Sequence, residues 1–192
     1  MEGGGDPRDG KAALRIGMTA FLRTLKEMAN ARRHNLKIVP CGGRTEARDA
    51  FLNATKIAPD DHAFLLVDSE EQVVHAPKQH LSHRDGWNLN AIPERKIHLM
   101  VQTMETWIVA DVEALIAHYG KNFLPNSLPK AVNLELVPKA KVADVLRHAT
   151  GKTLKGEYHK INHASALLQR IRPEEVRSRC PFSDCSRSWR MK

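Results

Sequence analysis

The chain of 192 residues is poor in cysteine, with only Cys41, Cys180 and Cys185. An odd count without framework spacing excludes a disulfide scaffold and predicts a reduced, cytoplasmic protein. Four residues separate Cys180 from Cys185, and no second Cys/His pair stands at zinc-finger spacing, so no structural zinc is expected. Long hydrophobic runs are missing too. The N-terminus has no apolar signal core and no stretch approaches bilayer-spanning length, so no membrane association is expected. Aromatic residues make up 5% of the chain, few enough that Trp107 is assigned to the core and not to a base-stacking platform. Two familiar motifs are incomplete. "ATGKT" (149–153) lacks the preceding glycine of a P-loop, and "HKINH" (159–163) lacks the glutamate of a zinc protease.

Acidic residues are in deficit: 22 Asp and Glu stand against 30 Lys and Arg, a formal charge of +8. Such a balance favours a polyanionic partner such as nucleic acid, because cations that neutralise phosphates release condensed counterions. The length suits one domain with a real core and excludes two large ones. No internal repeat or low-complexity tract interrupts it.

The hydrophobic pattern is α/β. Leu14, Met18, Phe21, Leu25 and Met28 recur at helical spacing and predict one long helix over 11–33, with Arg15, Arg23, Lys26, Arg32 and Arg33 on its other face. "LKIVP" (36–40) predicts a short strand, and "TEARDAFLNAT" (45–55) predicts a helix with Thr45 as its N-cap and Ala47, Phe51 and Leu52 turned inward. The continuous apolar run 63–67 predicts a strand buried on both faces, and 97–101 predicts another. A helix over 105–119 follows, closed by Gly120. Three prolines (Pro125, Pro129, Pro138) predict an extended connector, then helices over 139–150 and 162–172 and a short one from Pro173. These patterns predict a mainly parallel sheet flanked by helices over 1–122, with 123–192 as connector and helical C-terminal extension of the same domain.

Ligands of open α/β sheets bind beyond the carboxyl ends of the strands, where Asp68 and Glu70 follow the strand 63–67. In an extended Asp-x-Glu, alternation points both carboxylates to one side, and such a pair favours a hard cation such as Mg²⁺ or Mn²⁺. The plainer alternative is that Asp68 caps a following turn and Glu70 is solvated. Glu105, just after the strand 97–101, stands at the edge for a third acidic ligand, although an acid in a first helical turn is favoured by the macrodipole anyway. Arg84-Asp85-Gly86 reads as a loop with a turn. Lys160 and His163 fall in a basic cluster with Lys152, Lys155 and Tyr158, either a solvated helix start or a phosphate contact.

The stretches "EGGGD" (2–6), "CGGR" (41–44), "LLVDSE" (65–70), "HLSHRDGW" (80–87), "HLMVQTMETWIVAD" (98–111) and "KGEYHKINH" (155–163) together resemble a Toprim-like family of unknown function, found in prokaryotic neighbourhoods linked to phage defence and often near ATPases. The resemblance covers nearly the whole chain. It implies a Mg²⁺- or Mn²⁺-dependent nuclease in which Glu2 takes the place of the Toprim glutamate, Asp6 that of a second acid, and Asp68 and Glu70 those of the acidic pair. Glu70 stands where Asp is commoner. Substrate contacts are expected from Arg44, Arg84, Lys160 and His163, and the resemblance further implies a partner ATPase of AAA or ABC type. A Toprim glutamate ends a core strand, and here only Met1 precedes Glu2. Either the start is truncated or mis-assigned, or the first core strand is missing, and a poorly anchored Glu2 is the expectation. The rival expectation is a non-catalytic adaptor that binds nucleic acid or an ATPase through basic faces.

Overall fold

In the computed structural model, residues 1–5, 8–58 and 62–183 are described. Two parallel strands form the sheet, β1 (Leu65–Asp68) and β2 (Ile97–Met100), in register from Leu65 opposite Ile97 to Asp68 opposite Met100. Leu65, Val67, Leu99 and Met100 are all fully buried, as a continuous apolar run requires when helices cover the sheet. The helices are α1 (Arg8–Phe21), α2 (Arg23–Ala31), α3 (Arg44–Ile57), α4 (Pro77–Asp85), α5 (Met104–Ala110), α6 (Val112–Tyr119), α7 (Lys139–Thr150), α8 (Lys160–Leu168) and α9 (Pro173–Arg179). The architecture is α/β, a small parallel sheet flanked by helices.

Several expected elements are cut differently. The helix expected over 11–33 bends at Leu22 into α1 and α2. Only Ala29 of α2 is buried, and Met28 is 47% exposed instead of facing the core. The helix expected over 105–119 breaks at Asp111, whose carboxylate accepts the Ala114 N–H and so starts α6. Arg84 and Asp85, expected in a loop with Gly86, are the last residues of α4, which Pro77 opens and Gly86 closes in the left-handed conformation (φ 67°).

The expected strand over 36–40 is not one. Its place is taken by a pairing further on, where Cys41 donates to the Met1 carbonyl and Gly3 and Gly42 exchange N–H···O bonds in an antiparallel bridge. On the other side the Glu2 N–H donates to Leu66 of β1 at 3.0 Å. Residues 1–3 therefore lie between β1 and 41–42. Glu2 is anchored on both sides, contrary to the expectation of a frayed end.

The larger core is built from α1 and α5–α9, with Met18, Ile108, Leu115, Leu146, Leu167 and Leu168 fully buried. Each large aliphatic side chain so buried contributes about 2 kcal/mol. The smaller core joins α3, α4 and the two strands through Ala47, Phe51, Leu65, Val67, Leu81 and Trp87. The helix α8 packs chiefly on α1, and α7 on α5. Among the described residues no helix is long and apolar enough to cross a membrane.

Candidate metal centre

The carboxyl end of β1 gathers side chains from far apart in sequence. Glu2, Asp68 and Glu70 bring one carboxylate oxygen each within 4.8 Å of one another. Asp68 is 2% exposed, and Glu2 and Glu70 are partly buried. The Glu2 carboxylate is held from two directions, accepting from the Asp68 N–H at 3.1 Å and from Arg44 at 3.1 Å. Its backbone position depends on the glycines that follow. Gly3, Gly4 and Gly5 all have positive φ, and a Cβ on Gly10 in the first turn of α1 would lie 2.2 Å from the Gly4 carbonyl oxygen.

Glu70 reaches the cluster by a turn and not by strand alternation. The strand ends at Asp68, and Glu70 takes φ 68°, a left-handed conformation that costs a β-carbon residue on the order of 1 kcal/mol. Two ladder-like bonds hold it there, Ser69 N–H to the Met100 carbonyl and Glu70 N–H to the Gln102 carbonyl at 2.8 Å. His80 of α4 donates from Nε2 to the Ser69 carbonyl at 2.9 Å. The Lys139 ammonium pairs with the Glu70 carboxylate. Burial opposes ionisation of Glu70, but the Lys139 hydrogen bond and the charges of Lys139, Arg84 and Arg44 outweigh it and hold its pKa below the ordinary glutamate value.

Asp68 does cap a helix, though not a neighbouring turn. Its Oδ1 accepts the Met104 N–H at 2.9 Å, fixing the first turn of α5 across the sheet edge. Its Oδ2 faces the Lys160 ammonium at 3.3 Å. Burial pushes Asp68 up to about 7; Lys160 pulls it down, and Glu2, Glu105 and Glu70 add to the rise. A carboxylate in that state gains most from a cation arriving beside it.

Around these acids stands a ring of bases. Arg44 donates to Glu2, to the Asp68 carbonyl and, in a two-point contact at 3.1 and 2.7 Å, to Asp85. Its guanidinium lies 5.1 Å from the Trp87 ring centroid. Burial opposes its charge, but Asp85 outweighs that and raises its pKa. Arg84 pairs with Asp85 and acts on Glu70 through its charge. Lys160 lies 3.6 Å from Glu105, whose other oxygen accepts from the Tyr158 hydroxyl at 3.1 Å. Against the burial that disfavours its charge, Asp68 and Glu105 raise Lys160 to about 12.

Of the residues singled out in the sequence, Glu2, Asp68, Glu70, Arg44, Arg84 and Lys160 converge here. Glu105 stands beside the cluster and touches it through Lys160, and is not one of the three close ligands. His163 points elsewhere: its Nδ1 accepts from His159 N–H at 3.2 Å and lies 3.2 Å from the Tyr119 hydroxyl. Asp6 lies outside the described residues. Lys139 joins this cluster through its ion pair with Glu70, although pattern reading does not single it out. A signal for it exists: Lys139 and Lys160 are each the first residue of a helix, where the macrodipole disfavours a cation. A lysine there implies a carboxylate supplied from elsewhere.

Comparison with known proteins gives one match. Residues 9–184 match the family described as "Domain of unknown function (DUF4276)". No curated protein and no solved structure matches the chain.

Proposed function

Because the chain belongs to the DUF4276 family, whose function is unknown, its chemistry has to come from its own side chains, and we propose that it is a divalent-metal-dependent phosphodiesterase of Toprim-like type that acts on nucleic acid. The observation that carries this reading is the meeting of Glu2, Asp68 and Glu70 within 4.8 Å at the carboxyl end of β1. The donor set fits a hard ion. Oxygens around one Mg²⁺ at ~2.1 Å lie no more than ~4.2 Å apart, so this group closes on Mg²⁺ or Mn²⁺ with a shift of about half an ångström.

Bound Mg²⁺ would polarise a phosphodiester oxygen and lower the pKa of a coordinated water. The protein's own groups do the rest. Glu2, Asp68 and Glu70 hold the ion, and Arg44 fixes Glu2 while Asp85 fixes Arg44. Lys139 flanks Glu70 and would offer positive charge to a phosphate once an ion relieves it of that partner. A formal charge of +8 over the whole chain favours association with a polyanion. An ATPase partner of AAA or ABC type, and a place in phage defence, are part of the same proposal and rest on the sequence resemblance alone.

One observation favours a second reading, a non-catalytic adaptor. Glu2, Asp68 and Glu70 each already have a cationic partner, in Arg44, Lys160 and Lys139. Such a network can be structural, with nucleic acid or an ATPase held on the basic faces.

The test is cleavage of mixed DNA and RNA substrates with Mg²⁺ or Mn²⁺, comparing the wild type with Asp68→Asn. The amide keeps an oxygen for the Met104 N–H, so the variant is expected to melt no lower than wild type without metal, and to cleave ~10²-fold or more slowly. Loss of cleavage in both Asp68→Asn and chelator supports the phosphodiesterase. Nucleic-acid binding without cleavage by the wild type, unchanged in Asp68→Asn, supports the adaptor.

A further inference from the structure

Lys160 is placed unlike a substrate-binding lysine waiting for a phosphate. It starts α8, the end of a helix that repels a cation. There it stands between two carboxylates from different elements, 3.3 Å from Asp68 Oδ2 and 3.6 Å from Glu105 Oε2. Both acids are deeply buried, Asp68 at 2% exposure and Glu105 at 7%, so neither can look to bulk water for compensation. Their remaining oxygens are engaged, Asp68 Oδ1 by the Met104 N–H and Glu105 Oε1 by the Tyr158 hydroxyl. The ammonium sits where an ion bridging Asp68 and Glu105 would sit. In two-metal phosphodiesterases the ions lie about 3.5–4 Å apart, and here the Lys160 ammonium holds the place between Asp68 and Glu105 that a second ion would need.

We infer that Lys160 is the resident second cation of this centre, so that Glu2, Asp68 and Glu70 take a single divalent ion and not a pair. The inference rests on the metal reading given above and specifies it further. Charge supports it independently of distance. Glu2, Asp68, Glu70, Asp85 and Glu105 set five carboxylates against the four cations Arg44, Arg84, Lys139 and Lys160. One divalent ion turns that small negative excess into a small positive one, suited to a phosphodiester. Two ions would build up a strong positive excess in a confined site, which Coulomb repulsion at these distances disfavours. Lys160 thus acts as a positioning residue for the metal set, and Glu105 and Tyr158 hold it in place.

Counting bound Mn²⁺ per chain tests this, with free Mn²⁺ followed by electron paramagnetic resonance at neutral pH. The wild type and Lys160→Arg are expected to bind one ion each. Lys160→Met, which keeps the stem and removes the charge, is expected to bind two, and Glu105→Gln added to it is expected to restore one. A general loss of structure lowers the count and cannot raise it. Two ions in the wild type overturn the inference whatever the variants do, and so does a folded Lys160→Met that binds one; both outcomes leave the metal reading standing. No ion in the wild type overturns the metal reading and this inference with it.

Discussion

Asp68 takes part in four separate contacts at once. Its N–H donates to Glu2, its carbonyl accepts from Arg44, one carboxylate oxygen caps α5 and the other faces Lys160. Substitution there therefore has to preserve an acceptor if its effect on metal is to be separated from its effect on folding. At the same scale, His98 contributes to how the protein responds to acid. Burial in β2 lowers its pKa to about 4, partly offset by a backbone hydrogen bond at Arg95. The folded pKa is depressed below the ordinary value near 6.5. The unfolded chain thus takes up the proton first as pH falls, and stability is lost from about pH 6.5 down towards 4. Urea unfolding at pH 7 and pH 4.5 is expected to show wild type losing about 2 kcal/mol more than His98→Gln over that interval. An equal loss in both would mean that His98 is not neutral by burial in the native state.

At the scale of the element, the break between α5 and α6 is the most informative departure from periodicity. The apolar pattern runs straight through Asp111, yet that side chain is fully buried and takes three bonds at 2.8 Å from Arg172, one from its backbone and two from its guanidinium. Burial opposes ionisation, and the Arg172 bonds outweigh it and keep the Asp111 pKa low. The carboxylate ends one helix, caps the next and ties both to the start of α9. Arg172→Ala leaves this buried charge with only the backbone bonds. It is expected to lower the midpoint of urea unfolding, and Asp111→Asn/Arg172→Ala is expected to recover part of that loss. The same scale explains the helix α4. Its buried residues His80 and Leu81 are adjacent, so no stripe of period 3.6 marks it, although Pro77 and Gly86 announce its ends.

For the molecule as a whole, the decisive feature is that the C-terminal helices share the larger core with α1. Leu146, Leu167 and Leu168 are fully buried in the cluster that holds Leu14, Met18 and Phe21. Losing three such side chains removes about 6 kcal/mol of burial, comparable with the whole stability of an ordinary domain. A fragment ending at Asn122 is accordingly expected to show no cooperative thermal transition. A sharp transition from that fragment would show that the strands and α1–α6 form a self-sufficient core. The same packing matters for the candidate centre, because α7 and α8 bring Lys139 and Lys160 to the edge of β1.

The sequence by itself determined the buried strands, since a continuous run of aliphatic residues has no stable place except between covering layers. It determined the acids Asp68 and Glu70 at the carboxyl end of β1, because that position follows from the strand. It also determined the helices of the C-terminal third, whose apolar spacing is regular. Tertiary structure alone decided the rest. The segment 1–3 becomes part of the sheet edge only because Leu66 and Gly42 offer partners on its two sides. Glu70 turns towards Asp68 through a left-handed backbone that no alternation rule anticipates. The pairing of Lys160 with Asp68 and Glu105 joins residues 92 and 55 positions apart, a relation that local propensity cannot encode. Hydrophobic spacing reports what is buried within an element, whereas the charges that meet at a site are set by how the elements pack.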